Sequence, residues 1–229
     1  MKKQGLLIGI FLLVCLVSSL RAQHYEISLL GIPMAQVSIE KKPSNKPSSI
    51  TYEYKAKTNR FFSSLYNVNN QYLVTMDSSM GRLLCYRKEI SQKNLKQSFW
   101  ATYTDEEIFY STGETRVTNG HWHTILSLLL KLTMMESLED FQQPIDIEGE
   151  FYTAIVVPTQ TSSNTVEWNI ELIPQEGRPL LEKTDIFTSR LADPEAQRSI
   201  TVDRSRKCII AARFTLPPYT LTAQLVEDS

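Results

Sequence analysis

Glycine, histidine and cysteine are scarce in this 229-residue chain, which has 8, 3 and 3 of them. It contains no glycine-rich phosphate-binding loop and no G-x-S-x-G nucleophile elbow. A zinc site needs three or four ligands, most often from cysteine and histidine. We therefore expect a non-enzymatic protein with no catalytic residues, no cofactor and no bound metal.

A basic excess is missing as well. The chain has 24 lysines and arginines against 25 aspartates and glutamates, a net charge of −1. Nucleic-acid binding depends on a surplus of positive charge facing the phosphates. The composition therefore argues against nucleic acid as a partner.

The longest apolar run lies near the N-terminus, at Gly5–Leu20, and two lysines precede it. Ala22 offers a small residue at a cleavage position, which completes the pattern of a secretory signal peptide over residues 1–22. As a helix the run would be about 24 Å long, shorter than the roughly 30 Å hydrocarbon core of a bilayer. Cleavage is thus favoured over retention as an anchor, and it would leave a single β-rich domain, 23–229, in the periplasm or outside the cell.

The three cysteines differ in the modifications that their sequence positions allow. Cys15 lies in the apolar run, but Val14 occupies the position where a lipidation signal needs a small residue. In an exported protein the remaining pair, Cys85 and Cys208, could form a disulfide. That bond would close a loop of more than a hundred residues and contribute about 4–5 kcal/mol in the entropic description. Two free thiols packed as small apolar groups are the alternative.

Alternation of apolar and polar residues dominates the rest of the chain. It is clean in "ITYEYKAK" (50–57), "TVEWNIEL" (165–172) and "YTLTAQLVE" (219–227), whereas "KCIIAARFTL" (207–216) is apolar on both faces. Such patterns predict antiparallel strands, about ten or eleven in all, separated by polar turns such as "KKPSNKPSS" (41–49). The fold class predicted is mainly β, a curved antiparallel sheet in a half-barrel meander.

One segment predicts a helix, residues 121–138, which begin "HWHTILSLLLKLTMM". Thr118 or Asn119 could cap its start, and Pro144 limits its extent. Ser127 and Lys131 share a narrow sector, and the rest of the helix surface is apolar. Leaving that surface in water would cost more than the net stability of a domain. We therefore expect the curved sheet to wrap this helix.

The segment from Pro179 to Ala196 has no clear period. "DIFTS" (185–189) could be a short strand, and Asp193-Pro194 predicts a turn.

Two short polar patterns could carry chemistry. His121 and His123 could be half of a metal site, but ligand partners are lacking, and a turn anchored by Trp122 is favoured. Asp146, Glu148 and Glu150 alternate as if along one strand face, and a water-facing row is favoured over a calcium site.

Aromatic residues are the stronger functional indication. Ten fall on predicted strands: Tyr52, Tyr54, Tyr72, Tyr86, Phe99, Tyr103, Phe109, Tyr110, Phe151 and Trp168. On the inner face of a curved sheet they would line either a filled core or a groove for an apolar ligand. The groove remains an alternative to the filled core, because one short helix offers too little surface to cover that face.

The order of these features resembles an exported bacterial family of unknown function, the DUF3108 type. The resemblance rests on "YEISLLGIPMAQVSIE" (25–40), on the leucine-rich helix, and on "SITVDRSRKCIIAARFTL" (199–216) with "YTLTAQLVED" (219–228). Ala35 stands where that family commonly has glycine. The resemblance implies an antiparallel sheet bent around a helix, similar in outline to periplasmic carriers of lipids and lipoproteins. It implies no functional residues.

We therefore expect a cell-envelope protein that binds a lipid or another apolar ligand between sheet and helix. The side chains expected to contact the ligand are Tyr52, Tyr54, Phe99, Trp122, Leu126, Leu129 and Trp168. The alternative is a protein-interaction or structural module of an envelope complex, which would present a sheet edge or the 41–49 hairpin. A hydrolase built around His121 and His123 is the least favoured reading.

Overall fold

The computed structural model describes residues 22–44, 47–78 and 81–226. Nearly all of the predicted signal peptide, including Cys15, lies outside these ranges. Within them, no helix combines the length and the apolar character that crossing a bilayer requires.

The described residues form fourteen strands and three helices. The strands are β1 (Gln23–Leu29), β2 (Ile32–Lys42), β3 (Ser49–Thr58), β4 (Asn69–Asp77), β5 (Leu83–Gln92), β6 (Leu95–Tyr103), β7 (Glu107–Tyr110), β8 (Thr115–Val117), β9 (Phe141–Ile147), β10 (Glu150–Thr161), β11 (Thr165–Pro174), β12 (Gln197–Asp203), β13 (Cys208–Leu216) and β14 (Tyr219–Val226). The helices are α1 (Arg60–Ser63), α2 (Ile125–Met134) and α3 (Ile186–Ala192).

All the described strands belong to one antiparallel sheet, in the order β8-β7-β6-β5-β4-β3-β2-β1-β14-β13-β12-β11-β10-β9. Two meanders, β1–β8 and β9–β14, are joined where β1 pairs with β14. The sheet does not close, because β8 and β9 remain at its two ends. The predicted fold class is confirmed. The strands are more numerous than expected, partly because β7 and β8 are too short to show alternation.

The sheet curls around α2, which contacts β4, β9, β12 and β13. Seven of its residues are buried: Ile125, Leu126, Ser127, Leu128, Leu129, Leu130 and Leu132. Even the polar sector is covered. Ser127 is fully buried, and Lys131 donates to Gln143 Oε1 at 2.6 Å with its ammonium over the Phe141 ring. The predicted burial of this helix is confirmed.

The bounds predicted for the helix, 121–138, are too wide, and neither Thr118 nor Asn119 caps it. The cap is Thr124, which exchanges hydrogen bonds with Ser127 in a capping box. The residues before it are extended: His123 N donates to Pro144 O at 3.0 Å, and His123 O accepts from Asp146 N at 2.8 Å. Because His123 pairs with β9 through these two bonds, the helix does not extend back over it.

The segment around "DIFTS" is a helix, α3, rather than a strand. Asp185 caps it by accepting from the Thr188 N–H at 2.9 Å. The side chain of Asp185 is itself buried and also accepts from the Tyr72 hydroxyl at 2.6 Å. This long-range contact positions α3 inside the curl of the sheet.

The prediction that Asp146, Glu148 and Glu150 form a water-facing row is wrong for the first two, and Glu150 is half-buried. β9 and β10 form a hairpin whose two-residue loop, Glu148–Gly149, has positive φ at both positions, +57° and +94°. Asp146 and Glu148 are buried, and Glu148 is ion-paired with the fully buried Lys88 of β5. Lys88 Nζ also lies 3.1 Å from Asp185 Oδ2, so these residues connect the two meanders across the interior.

Asp146 is part of the same connection. It accepts hydrogen bonds from the Tyr103 hydroxyl of β6 at 2.7 Å and from Gly149 N at 2.8 Å. Burial raises the pKa of Asp146 to about 6, although both hydrogen bonds act in the opposite direction. Burial lowers the pKa of His123 to about 3, so that imidazole is neutral near pH 7.

Both described cysteines are free, so the disulfide alternative is wrong for this structure. Cys85 is half-buried on β5, and Cys208 is buried on β13. Five strands, β4, β3, β2, β1 and β14, separate β5 from β13 along the sheet. A disulfide requires Cα atoms within about 7 Å.

Truncation of Leu128 tests the packing of α2. Leu128→Ala should lower the free energy of unfolding by about 2–5 kcal/mol, because a fully buried side chain leaves a cavity. Leu129 already borders a void, so Leu129→Ala should fall at the lower end of that range. Urea denaturation measures both. Glu136→Ala, at an exposed position just after α2, is the control and should change stability by less than about 0.5 kcal/mol. An equally small effect of Leu128→Ala would show that α2 is not packed as described.

The raised pKa of Asp146 predicts a specific pH dependence of the free energy of unfolding. An aspartate whose pKa is raised to about 6 in the folded state binds its proton more tightly there than in the unfolded state. Its contribution to stability is present below about pH 4 and is lost as the pH rises to 6, by roughly 1.4 kcal/mol per pH unit. Asp146→Asn removes this loss, so the stability of the variant relative to wild type should increase between pH 4 and pH 6.

The difference between variant and wild type is the informative quantity, because His123 has the opposite pH dependence in the same window. Urea denaturation at pH 4, 5, 6 and 7 measures it. Asp140→Asn, at an exposed aspartate, is the control and should give a constant difference. A constant difference for Asp146→Asn as well would contradict the prediction.

Candidate ligand-binding cavity

A cavity of about 450 Å³ lies between the centre of the sheet, α2 and α3. Its walls come from β1, β2, β3, β13 and β14, with Leu126 and Leu129 from α2 and Phe187 and Leu191 from α3. The volume is about three times that of the roughly 150 Å³ apolar cavity that holds benzene. It is within the range of cavities that bind small ligands in proteins.

The void exists because small side chains meet across the strands. Ala35 of β2 pairs with Ile27 of β1, which pairs with Ala223 of β14, which in turn pairs with Ala212 of β13. All four line the cavity. Three alanines in one row across four strands leave space that larger side chains would fill.

The interior walls of the cavity, away from its opening, are uncharged as well as apolar. Tyr25 and Tyr54 turn their hydroxyls to backbone acceptors, Ile209 O at 2.9 Å and Leu126 O at 3.0 Å. Burial raises the pKa of both phenols above their ordinary value, so neither ionises near pH 7. Their aromatic rings thus line the cavity without exposing an unsatisfied polar group to it.

Charge occurs at only two of the lining positions, Lys57 and Arg190, and both are exposed. Lys57 alternates with the buried Tyr54 and Ala56, so its side chain lies on the outer face of β3 and Arg190 is the cation at the opening. Tyr66, Ile186 and Tyr219 also line the cavity while being 38%, 43% and 53% exposed. The cavity therefore reaches the surface among these three residues and Arg190, which we call the mouth. An occupant would meet an apolar interior and a positively charged entrance.

Of the seven side chains predicted to contact a ligand, Tyr54, Leu126 and Leu129 line the cavity. The other four lie elsewhere. Phe99 and Trp168 are buried against Tyr110 and Phe141, Trp122 packs on Phe151 with ring centroids 4.4 Å apart, and Tyr52 packs at the edge of the core. None of these four side chains lines the cavity.

Sequence reasoning missed the alanine row and α3. The alanines could have been noticed, because Ala35, Ala212 and Ala223 stand at inward positions of otherwise large-residue strands. Their alignment depends on the strand register, which the sequence alone does not provide. The wall formed by α3 was missed because that segment has no clear period and "DIFTS" (185–189) also fits a short strand.

The histidines do not form a shared site. His121 is exposed, with Nδ1 3.3 Å from Asp105 Oδ1, whereas His123 is buried with Nδ1 3.0 Å from Ser127 Oγ. In the part of the chain that the structure describes, no three His, Cys, Asp or Glu side chains are grouped as metal ligands would be. The buried Lys88 cluster does not line the cavity, so its charges do not face an occupant.

Comparisons by sequence find no relative: no protein-family profile matches the chain. A search of curated proteins also gives no match.

Comparison by structure finds a similar fold. A crystal structure of a β-barrel-like protein of the domain of unknown function DUF1849, from Brucella abortus, superposes with a TM-score of 0.56. The match covers 90% of this chain and 95% of that protein at 10% sequence identity. At this identity the likeness shows the fold alone, that of a bacterial β domain of unknown function.

Proposed function

We propose that this protein is an exported, non-enzymatic cell-envelope protein that binds a lipid or another apolar ligand in the cavity between the sheet, α2 and α3. The observation that carries the proposal is the cavity itself, about 450 Å³ with nearly all-apolar walls. Protein interiors are normally close-packed, and a void of this size forfeits packing contacts. An apolar ligand would restore those contacts.

A cation at the mouth narrows the class of ligand. Arg190 is exposed there and forms no ion pair with a carboxylate among the described residues. An acyl chain with an anionic head would place its tail against the alanine row and its head beside Arg190. We therefore propose a single-chain anionic amphiphile as the ligand.

The helix α2 serves as a fixed wall in this proposal. Seven of its residues are buried and Tyr54 is hydrogen-bonded to its backbone, so withdrawing α2 to open the cavity would expose a large apolar surface. The mouth instead lies beside α3, where Ile186 and Arg190 are exposed. Ligand entry past α3 requires less disruption than entry past α2.

Export and the resemblance to a known family are proposed from the sequence. The N-terminal pattern of two lysines, an apolar run and Ala22 is typical of a signal peptide. The resemblance to the DUF3108 type, whose fold outline is similar to periplasmic lipid carriers, supports the same location. Both are parts of the proposal.

Filling the cavity tests ligand binding. Ala212→Phe projects a ring into the alanine row and should weaken binding of a fluorescent polyene fatty acid by at least about tenfold, a change of about 1.4 kcal/mol. Ala211→Phe is the matched control, because Ala211 is the adjacent residue of β13 and does not line the cavity. Urea denaturation establishes that both variants fold. Equal affinities for the two folded variants, or no binding by wild type, would contradict the proposed site.

The head-group preference is tested with ligands of equal chain length. A C16 fatty acid should displace the fluorescent probe at a concentration about tenfold lower than the corresponding alcohol, because only the acid carries a charge for Arg190. The variant Arg190→Gln should lose this preference while still binding the alcohol. Lys57→Gln removes an exposed cation on the outer face of β3 and should keep it. Equal displacement by acid and alcohol in wild type would exclude the anionic head but retain an apolar ligand.

A further inference from the structure

One end of the sheet carries exposed apolar side chains that the fold does not use. Five of them form what we call the rim: Leu30, Ile32, Phe61, Leu65 and Tyr219, which are 64%, 59%, 74%, 61% and 53% exposed. Leu30 and Ile32 belong to the β1–β2 turn, Phe61 and Leu65 to the α1 segment between β3 and β4, and Tyr219 begins β14. Because the strands are antiparallel neighbours, these three connections lie at the same end of the sheet.

Hydrogen bonds join the rim into one surface. Leu30 N donates to Thr220 O at 3.1 Å, which ties the β1–β2 turn to β14. Asn59 Nδ2 donates to Pro33 O at 2.7 Å, which ties the α1 segment to β2. Single exposed apolar residues are ordinary on protein surfaces, but contiguous ones mark interaction sites.

The backbone at Leu30 gives a second, independent sign. Leu30 and Gly31 form a two-residue hairpin loop with φ of +52° and +82°. Asparagine or glycine suits the first of these positions, whereas leucine there is disfavoured by its backbone and by its exposure to water. Burial of the Leu30 side chain against a partner surface would remove its exposure to water and so offset part of this cost.

Charge identifies the partner. The β11–β12 connection at this end carries acidic residues such as Glu182 and Asp193. The connections around the rim and the neighbouring β5–β6 turn, 29–36, 57–71, 90–97 and 213–224, contain no aspartate or glutamate. They carry five cations, Lys57, Arg60, Lys93, Lys96 and Arg213, in a chain whose net charge is −1. Within the described ranges none of these five is ion-paired. Apolar side chains surrounded by unpaired cations are complementary to a bilayer surface with anionic head groups.

The cavity opens at this same end. Tyr219 belongs both to the rim and to the mouth, and Phe62, next to Phe61 in α1, lines the cavity. We propose that the rim docks the protein on an anionic lipid surface, with the mouth of the cavity facing the bilayer. The docking goes beyond ligand binding and can be tested without it.

Vesicle sedimentation tests the docking. The full-length mature protein should co-sediment with phosphatidylcholine vesicles containing about one quarter phosphatidylglycerol, and bind pure phosphatidylcholine vesicles at least about fivefold more weakly. Raising the salt from about 50 mM to about 500 mM should reduce binding to the anionic vesicles, because the cations at the rim are screened.

The variant Leu30→Asn/Phe61→Ser removes two rim side chains and should reduce binding to anionic vesicles by at least about fivefold. Asparagine accepts the left-handed backbone of position 30, so the melting temperature should stay the same or rise. Val117→Ser is the matched control, since Val117 is 81% exposed on β8, away from the rim, and should bind as wild type does.

Failure to bind anionic vesicles, or an equal loss in the Val117→Ser control, would overturn the docking and leave the rim as a contact for a protein. Retained vesicle binding by Leu30→Asn/Phe61→Ser would overturn it too. A protein that binds the fatty-acid probe but no vesicles would refute the docking alone, whereas the reverse result would refute the ligand site alone.

Discussion

The antiparallel pairing of β1 with β14 is the contact on which the rest of the structure depends. It runs from His24 opposite Val226 to Leu29 opposite Leu221 and joins two meanders into one sheet. Apart, each meander would leave an unpaired edge and an uncovered apolar face. Joined, they curl around α2, and the cavity lies directly over the seam, where Ile27 meets Ala223. The strand pairing that completes the fold therefore also builds the wall of the proposed ligand site.

The interior has two halves with different packing. In one half, α2 and large aromatic side chains such as Trp168 and Phe99 fill the space. In the other half, alanines leave room, and apolar walls lead to a cationic mouth.

Buried ion pairs cross the interior of the curled sheet, where the Lys88 ammonium contacts the carboxylates of Glu148 and Asp185. Such buried ion pairs contribute little net stability, but removing one partner is costly because it strands the other charge. Here the ion pairs hold α3 and the β9–β10 loop in place, and α3 is one wall of the cavity.

Prediction from the sequence succeeded where the relevant property is local. Alternation along "TVEWNIEL" reports which side chains share a face, because a strand has a period of two whatever it pairs with. The burial of α2 followed from apolar residues around nearly its whole circumference. Prediction failed for Asp146 and Glu148, because their burial depends on Lys88 and Tyr103, which are far away in the chain. It failed for α3 because a seven-residue helix shows barely two turns of periodicity, and its cap, Asp185, is held by Tyr72 of β4.

By itself, the sequence determined that the protein is mainly β and that its apolar helix must be covered. These properties follow from composition and short-range periodicity, which each segment carries independently of its neighbours. Only the tertiary structure decided that Ala35, Ala223 and Ala212 align into a void, that α3 forms its further wall, and that Leu30, Phe61 and Tyr219 lie at the same end of the sheet. Those results depend on strand register and on contacts between distant segments, which arise only when the two meanders pair.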